Sequence, residues 1–309
     1  MLFGRDKLLQ MLGDKKINFT WGYFLNRNPF TILKSSFNSI IQHPIILFPT
    51  ATLAFIQFFL LEILYFSPQK PLSIFFGPLI KVIWSEEYMH YPQNLILLPK
   101  IFYYVQIFVY MLVGSFLLAL TSKIVFILDE HPRVNFKIAF KETFALYIHI
   151  FVASLISYIL FQLFASGYVK AVDVLINIKF WGEGGAFWNK TLLWTVPYFQ
   201  FFFGILASTV FVYVIPIIVI EKEHVFIALL RNLKILYHAL PTTLLIVGLP
   251  SLFYLPILAL RNNVPLLMHV LAPEVQILVI ILSLIVSMAI DLIILVSTTT
   301  LYLFVKENS

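Results

Sequence analysis

Residues 275–304 read VQILVIILSLIVSMAIDLIILVSTTTLYLF, and the one charged side chain among them is Asp291. Between 277 and 296 the stretch holds 15 Ile, Leu and Val residues. Each returns roughly 0.3–0.6 kcal/mol on insertion, against a cost of roughly 2.5–3.5 kcal/mol for the acid. A helix of about 20 mostly apolar residues crosses the hydrocarbon of a bilayer, so this stretch reads as a membrane span. The composition extends that reading to the whole chain. Of 309 residues, 61% are hydrophobic and 12% charged, with a mean hydropathy of +0.93; a soluble domain carries about 25% charge.

Working back from this stretch, the apolar runs give six spans, at roughly 44–66, 100–128, 145–168, 195–220, 241–260 and 275–304. With the N-terminus inside, the inner segments hold 14 Lys and Arg and the outer ones seven. Cytoplasmic loops carry the excess of basic residues, so the expected topology is N-in and C-in. The net charge of +6 is spread between apolar runs and points to no nucleic acid. The N-terminal segment 1–29 lacks the pattern of a cleaved secretory signal. Leu2, Phe3, Leu8, Leu9 and Leu12 among Arg5, Lys7, Lys15 and Lys16 suit an interfacial helix. Two long outer segments, 67–99 and 169–194, carry Trp84, Trp181, Trp188 and Trp194 as an aromatic belt. The run Gly182-Glu183-Gly184-Gly185 reads as a flexible turn.

An internal repeat sets FTILKSSFNSIIQH (30–43), FKIAFKETFALYIH (136–149) and VFIALLRNLKILYH (225–238) in register. Each copy ends in a histidine, His43, His149 or His238, with a span directly after it. The expected fold is all-α: six transmembrane helices as three hairpins, each preceded by an amphipathic interfacial helix. The chain is then one membrane domain, 1–309, with repeats over roughly 30–128, 136–220 and 225–305. In the third copy Phe226, Leu229, Leu233, Leu236 and Leu240 share one side of the wheel, and Arg231, Lys234 and His238 the other. In the first, Lys34, Asn38 and Gln42 oppose Leu33, Phe37 and Ile40. Glu221, just ahead of the third copy, is expected to cap the elbow through the helix dipole, worth about 0.3–1 kcal/mol.

The stretch VIPIIVIEKEHVFIALLRNLKILYHALPTTLL (214–245), with Pro216, Glu221 and Ala228, resembles a recurring signature of bacterial six-span membrane proteins. These include the membrane domain fused to some glycerophosphodiester phosphodiesterases, and related domains of unassigned function. STTTLYLFVKE (297–307), with Tyr302, resembles their last span. The resemblance implies fold and location; it carries no catalytic residues, and no phosphodiesterase domain is present in this sequence.

Candidate site residues fall into two sets. Within the membrane, Asp291 must face protein or water, through a hydrogen bond to Ser208 or Thr209 or as a proton or cation site. Gln57, Gln106, Gln162 and Gln200 lie in the outer halves of four spans, with Glu62 near the top of the first. They read as interhelical hydrogen bonds or as an outward-facing polar pocket. At the inner interface Lys34, His43, Lys141, His149, Arg231, Lys234 and His238 read as headgroup contacts or as architectural elbows. The E-x-x-H pairs Glu87–His90 and Glu221–His224 fall on opposite sides of the membrane, so no metal site is expected. Cysteine is absent, which removes disulfides and thiol chemistry. There is no nucleophile elbow, Gly-rich phosphate loop or H-E-x-x-H; no enzyme, catalytic residue or cofactor is expected. The leading expectation is a non-enzymatic membrane module that binds lipid or supports another membrane or envelope protein. The alternative is a small permease or channel using Asp291 and the glutamines. Membrane lipids are the expected partners, with a membrane-protein partner or a homo-oligomer as a further option.

Overall fold

The structure, a computed structural model, describes residues 28–131, 133–177 and 186–307. The expected N-terminal interfacial helix, Trp181 and the Gly182–Gly185 turn lie outside these. Among the described residues there are helices and no strand. Six helical stretches are long and apolar enough to cross a membrane: Pro44–Phe66, Gln93–Glu130, Tyr147–Ile176, Lys190–Glu221, Val225–Leu252 and Val275–Lys306. The chain has the architecture of a multi-pass membrane protein.

Helix α1 (Pro29–Gln42) starts where sequence chemistry puts a start. Asn28 accepts the Phe30 amide at 3.0 Å and Pro29 opens the first turn, a capped beginning that leaves fewer orphan donors. It stops at His43 because Pro44 follows, and a residue before proline is pushed out of the helical region; His43 has φ −124° and ψ 76°. After a short 3₁₀ turn, α2 (Leu47–Phe66) follows, then α3 (Ser73–Ile83). The second long stretch is α4 (Gln93–Val109), a π turn at Tyr110–Gly114 and α5 (Ser115–Glu130). Helix α6 (Phe136–Ala145) is capped by Asn135, whose side chain accepts the Ile138 amide at 3.3 Å. Helix α7 (Tyr147–Asn177) and α8 (Ala186–Phe211) pack together. The segments expected as outer loops are therefore largely helical, with α3 inside 67–99 and α7 and α8 extending into 169–194.

The fourth stretch breaks at Val212 and Tyr213 before α9 (Val214–Glu221). Pro216 causes this, since it has no N–H to offer the carbonyl four residues back. Helix α10 (Val225–Leu252) comes next, then α11 (Leu255–Asn262), α12 (Val264–Val270) and α13 (Val275–Glu307). Helix α13 packs against α1, α2, α5 and α10.

Two expectations need correction here. The elbow after each histidine exists in the first copy alone. In the second the chain breaks at Leu146, leaving His149 inside α7; in the third, α10 runs unbroken through His238. No proline follows either histidine directly; Pro241 is absorbed within the helix. The expected fifth span, 241–260, likewise becomes the far half of α10, a break at Phe253 and Tyr254, and α11. The expected apolar side of α10 is also divided. The buried residues include Ala228, Asn232, Leu236, Ala239 and Thr243, while Phe226, Leu233 and Leu240, from the same side as Leu236, are exposed. Lipid tails are as apolar as leucine, so helices in a membrane pack through small residues and turn large ones outward. The buried register is Ala139 and Thr143 in α6, and Ile32, Ser36 and Ile40 in α1. That register pairs Ser36, Thr143 and Asn232, and sets His43 one place away from His149 and His238. On the expected apolar side of α1, Ile40 is buried and Phe37 exposed.

Candidate functional site

At one end of the bundle the polar groups close on each other. Asn232, 1% exposed, reaches from α10 into the break of the fourth stretch. Its amide donates to the Val210 carbonyl at 2.6 Å and its oxygen accepts the Tyr213 amide at 3.1 Å. Two backbone groups orphaned by the break are thereby paired. The Tyr213 hydroxyl meets Thr243 Oγ1 at 2.6 Å. Glu221 accepts the Tyr302 hydroxyl and pairs with Arg231, whose other nitrogen lies 3.3 Å from Glu223. Glu221 is thus the last residue of α9 and an ion-pair partner, not the cap of α10; His224 holds the cap position without a side-chain bond. Buried Lys123 lies 2.8 Å from Glu142, and Lys222 lies 3.7 Å from it. Lys123's hydrogen bond, reinforced by the charges of Lys123 and Lys222, holds the Glu142 carboxyl below its ordinary 4.5.

The expected interfacial residues divide accordingly. Arg231 is taken by Glu221 and Glu223. His149 Nε2 lies 3.3 Å from His224 Nδ1, and His238 Nδ1 lies 2.9 Å from the Lys234 carbonyl. Lys34, Lys141 and Lys234 are exposed, and His43 is half-buried at the α1 break. Among the described residues no group of three metal-binding side chains forms.

The intramembrane set is partly brought together. Gln106 Nε2 donates to the Oε1 of fully buried Gln57 at 3.0 Å, whereas Gln162 Nε2 donates to Tyr158 and Tyr103 hydroxyls at 3.0 and 3.3 Å. Gln200 is half-buried and Glu62 exposed; neither joins the Gln57–Gln106 pair. Asp291 accepts the Tyr110 hydroxyl at 3.1 Å. Its expected partners lie elsewhere: Ser208 is exposed, and Thr209 bonds the Ile205 carbonyl within its own helix. Tyr110 opens the π turn, where the Tyr147 hydroxyl caps the Leu112 carbonyl at 2.9 Å.

The opposite end of the bundle is open. A cleft of about 510 Å³ lies between the first half of α4, the α11–α12 arm and the start of α13. Its α13 wall presents Gln276, Val279, Ile280 and Ser283, one face at helical spacing, and its α4 wall runs from Ile96 and Pro99 to Gln106. Arg261, Val264, Pro265 and Met268 close the third side. At about 1.5 Å per residue, Gln106 lies roughly 25 Å from Lys123 and Ser283 roughly 28 Å from Tyr302. The cleft floor therefore stands about one hydrocarbon thickness from the ion-paired end.

The polar groups of floor and mouth differ. On the floor, Gln106 is tied to Gln57, and Ser283 Oγ lies 2.5 Å from the Tyr254 hydroxyl. At the mouth, Gln276 is 7% exposed and lines the cleft; among the described residues its side-chain amide has no partner. Arg261 is the one charge among the described lining residues, and no described carboxylate is within ion-pairing distance of it. Glu274, two residues before Gln276, is engaged with Tyr91: desolvation first, then a hydrogen bond to Glu274, push that hydroxyl above its ordinary value. The sequence reading found Gln106 by its place in a span. It missed Arg261 and Gln276, because one looked like an outer-loop charge and the other like the ragged start of a span.

Comparisons with protein-family profiles, curated proteins and solved structures return no match.

Proposed function

We propose that this protein is a non-enzymatic module of the bacterial cytoplasmic membrane that binds a lipid-like amphiphile, with both termini on the cytoplasmic side. The observation that carries this reading is the 510 Å³ cleft at the outer end of the second and sixth spans. Its size falls in the usual range for small-molecule sites, about 300–1,000 Å³, and so does its character, apolar walls with few polar groups. The layout resembling six-span bacterial membrane domains supports the location, as does the excess of Lys and Arg on the inner side. The test is native mass spectrometry of protein extracted in a mild non-ionic detergent. A stoichiometric bound amphiphile, lost from Met268→Trp at a half-buried cleft position, is expected. Bare protein under conditions that retain weakly held lipids would overturn the reading.

A second reading, a small permease or channel, is favoured by one observation. The α13 wall of the cleft continues inward through Ser287 to Asp291, and the α4 wall through Gln106 to Tyr110, where the two meet at 3.1 Å. A π turn in a helix often marks a functional position. On this reading Asp291→Asn abolishes a proton- or cation-coupled flux in proteoliposomes without unfolding the protein; unchanged flux sinks it.

A further inference from the structure

The cleft also constrains what could fill it. A cavity volume of about 510 Å³ is on the scale of one alkyl chain rather than of the paired chains of a whole phospholipid. The walls between mouth and floor are apolar: Ile96, Phe102, Val279, Ile280 and Met268. On the floor Gln106 donates to Gln57, and Ser283 meets Tyr254, so each polar side chain there has at least one protein partner. At the mouth the balance reverses. Gln276 is more than nine-tenths buried and lines the cleft, and its amide has no partner among the described residues, so it is free to bond a group seated there. Arg261, which lines the same cleft, supplies a fork of donors suited to carboxylate or phosphate oxygens.

We infer that the cleft is a seat for a single-chain anionic amphiphile, its tail against α4 and α13 and its head held at the outer interface by Arg261 and Gln276. This deepens the lipid-binding reading and rests on it. The site sets specificity by head-group charge and by chain number. A diacyl lipid fits poorly because the volume is filled by one chain. A zwitterionic head brings a second, positive group against Arg261, and a neutral head leaves the guanidinium without its partner.

The experiment uses full-length protein in nanodiscs of zwitterionic lipid. Hexadecyl phosphate is titrated and compared with hexadecylphosphocholine and with dihexadecyl phosphate, at about pH 5, below the second ionisation of the monoester near 6, so that both phosphates carry roughly one negative charge. One-to-one binding of hexadecyl phosphate is expected, at least tenfold tighter than either comparison probe. Arg261→Gln should erase the preference over the phosphocholine, Arg261→Lys should restore part of it, and Gln276→Leu should weaken hexadecyl phosphate several-fold. Arg261 is exposed, so its variants should fold, and thermal unfolding confirms it. If both single-chain probes bind equally, and Met268→Trp blocks both, the cleft holds lipid but the anionic head is wrong. Equal binding of the two-chain phosphate overturns the single-chain claim. If no probe binds in a way Met268→Trp displaces, the lipid-binding reading itself fails.

Discussion

The two ends of the bundle place their polar groups differently. At the ion-paired end Asn232, Glu221, Arg231, Tyr302, Lys123 and Glu142 are each paired, and Asn232 repairs a break in the fourth span, although Ser36 Oγ and Ser297 Oγ stay buried without a partner among the described residues. At the cleft end the Gln276 amide and the exposed Arg261 guanidinium have no partner among the described residues. A buried polar group that has its partners is architecture, because removing it exposes the others' need. One without partners either destabilises the fold for nothing or awaits a ligand.

The comparison is broken most forcefully by a matched pair of amide removals. Asn232→Ala orphans the Val210 carbonyl and the Tyr213 amide together, and should cost about 2–4 kcal/mol in unfolding measured in mixed micelles. Gln276→Leu removes an amide of the same chemistry but leaves no protein group unpaired. It should be neutral or stabilising by up to about 1 kcal/mol in protein stripped of lipid. Equal losses at both positions would mean that the cleft amide is structural after all.

A smaller effect sharpens the same contrast through pH. The folded protein holds Glu142 below 4.5. The stabilisation from its pair with Lys123 is therefore complete above the ordinary carboxylate value and is lost as pH falls through the folded one. Glu142 is 37% exposed, so water screens the pair and the loss should be about 1 kcal/mol or less. Glu142→Gln should flatten stability against pH below 4.5; an unchanged slope would assign the acid sensitivity to another carboxylate.

The membrane character, the six long helices and the position of five of them were legible in runs of apolar residues. The break ahead of Pro216 was not, since 195–220 read as one continuous span. The helix faces were not either. The wheel for α10 grouped its leucines on one apolar side but did not say which of them meet protein. Between helices in lipid the hydrophobic drive vanishes, and Leu236 is buried together with the inconspicuous series Ala228, Asn232, Ala239 and Thr243. The histidines misled for a related reason: three residues at matching places suggested three elbows, but the proline that makes an elbow followed His43 alone. Asp291 was visible as an expense, yet its partner Tyr110 lies 181 positions away, and only tertiary packing names it. The cleft was invisible as a cavity, since it arises where α11 and α12 lean on two spans distant in sequence.

Helix α1 buries Ile32, Ser36 and Ile40 in a structure where it packs on α10 and α13. Those partners are translated last. From Gln42 to Val275 the ribosome adds about 230 residues, on the order of ten to fifty seconds at 5–20 residues per second. Through that interval the opening helix has been made but lacks the surfaces that will hold it, while its exposed Phe30, Phe37 and Ile41 can rest on the bilayer. Arrival of α13 is thus what seats α1, which is made early and locked late.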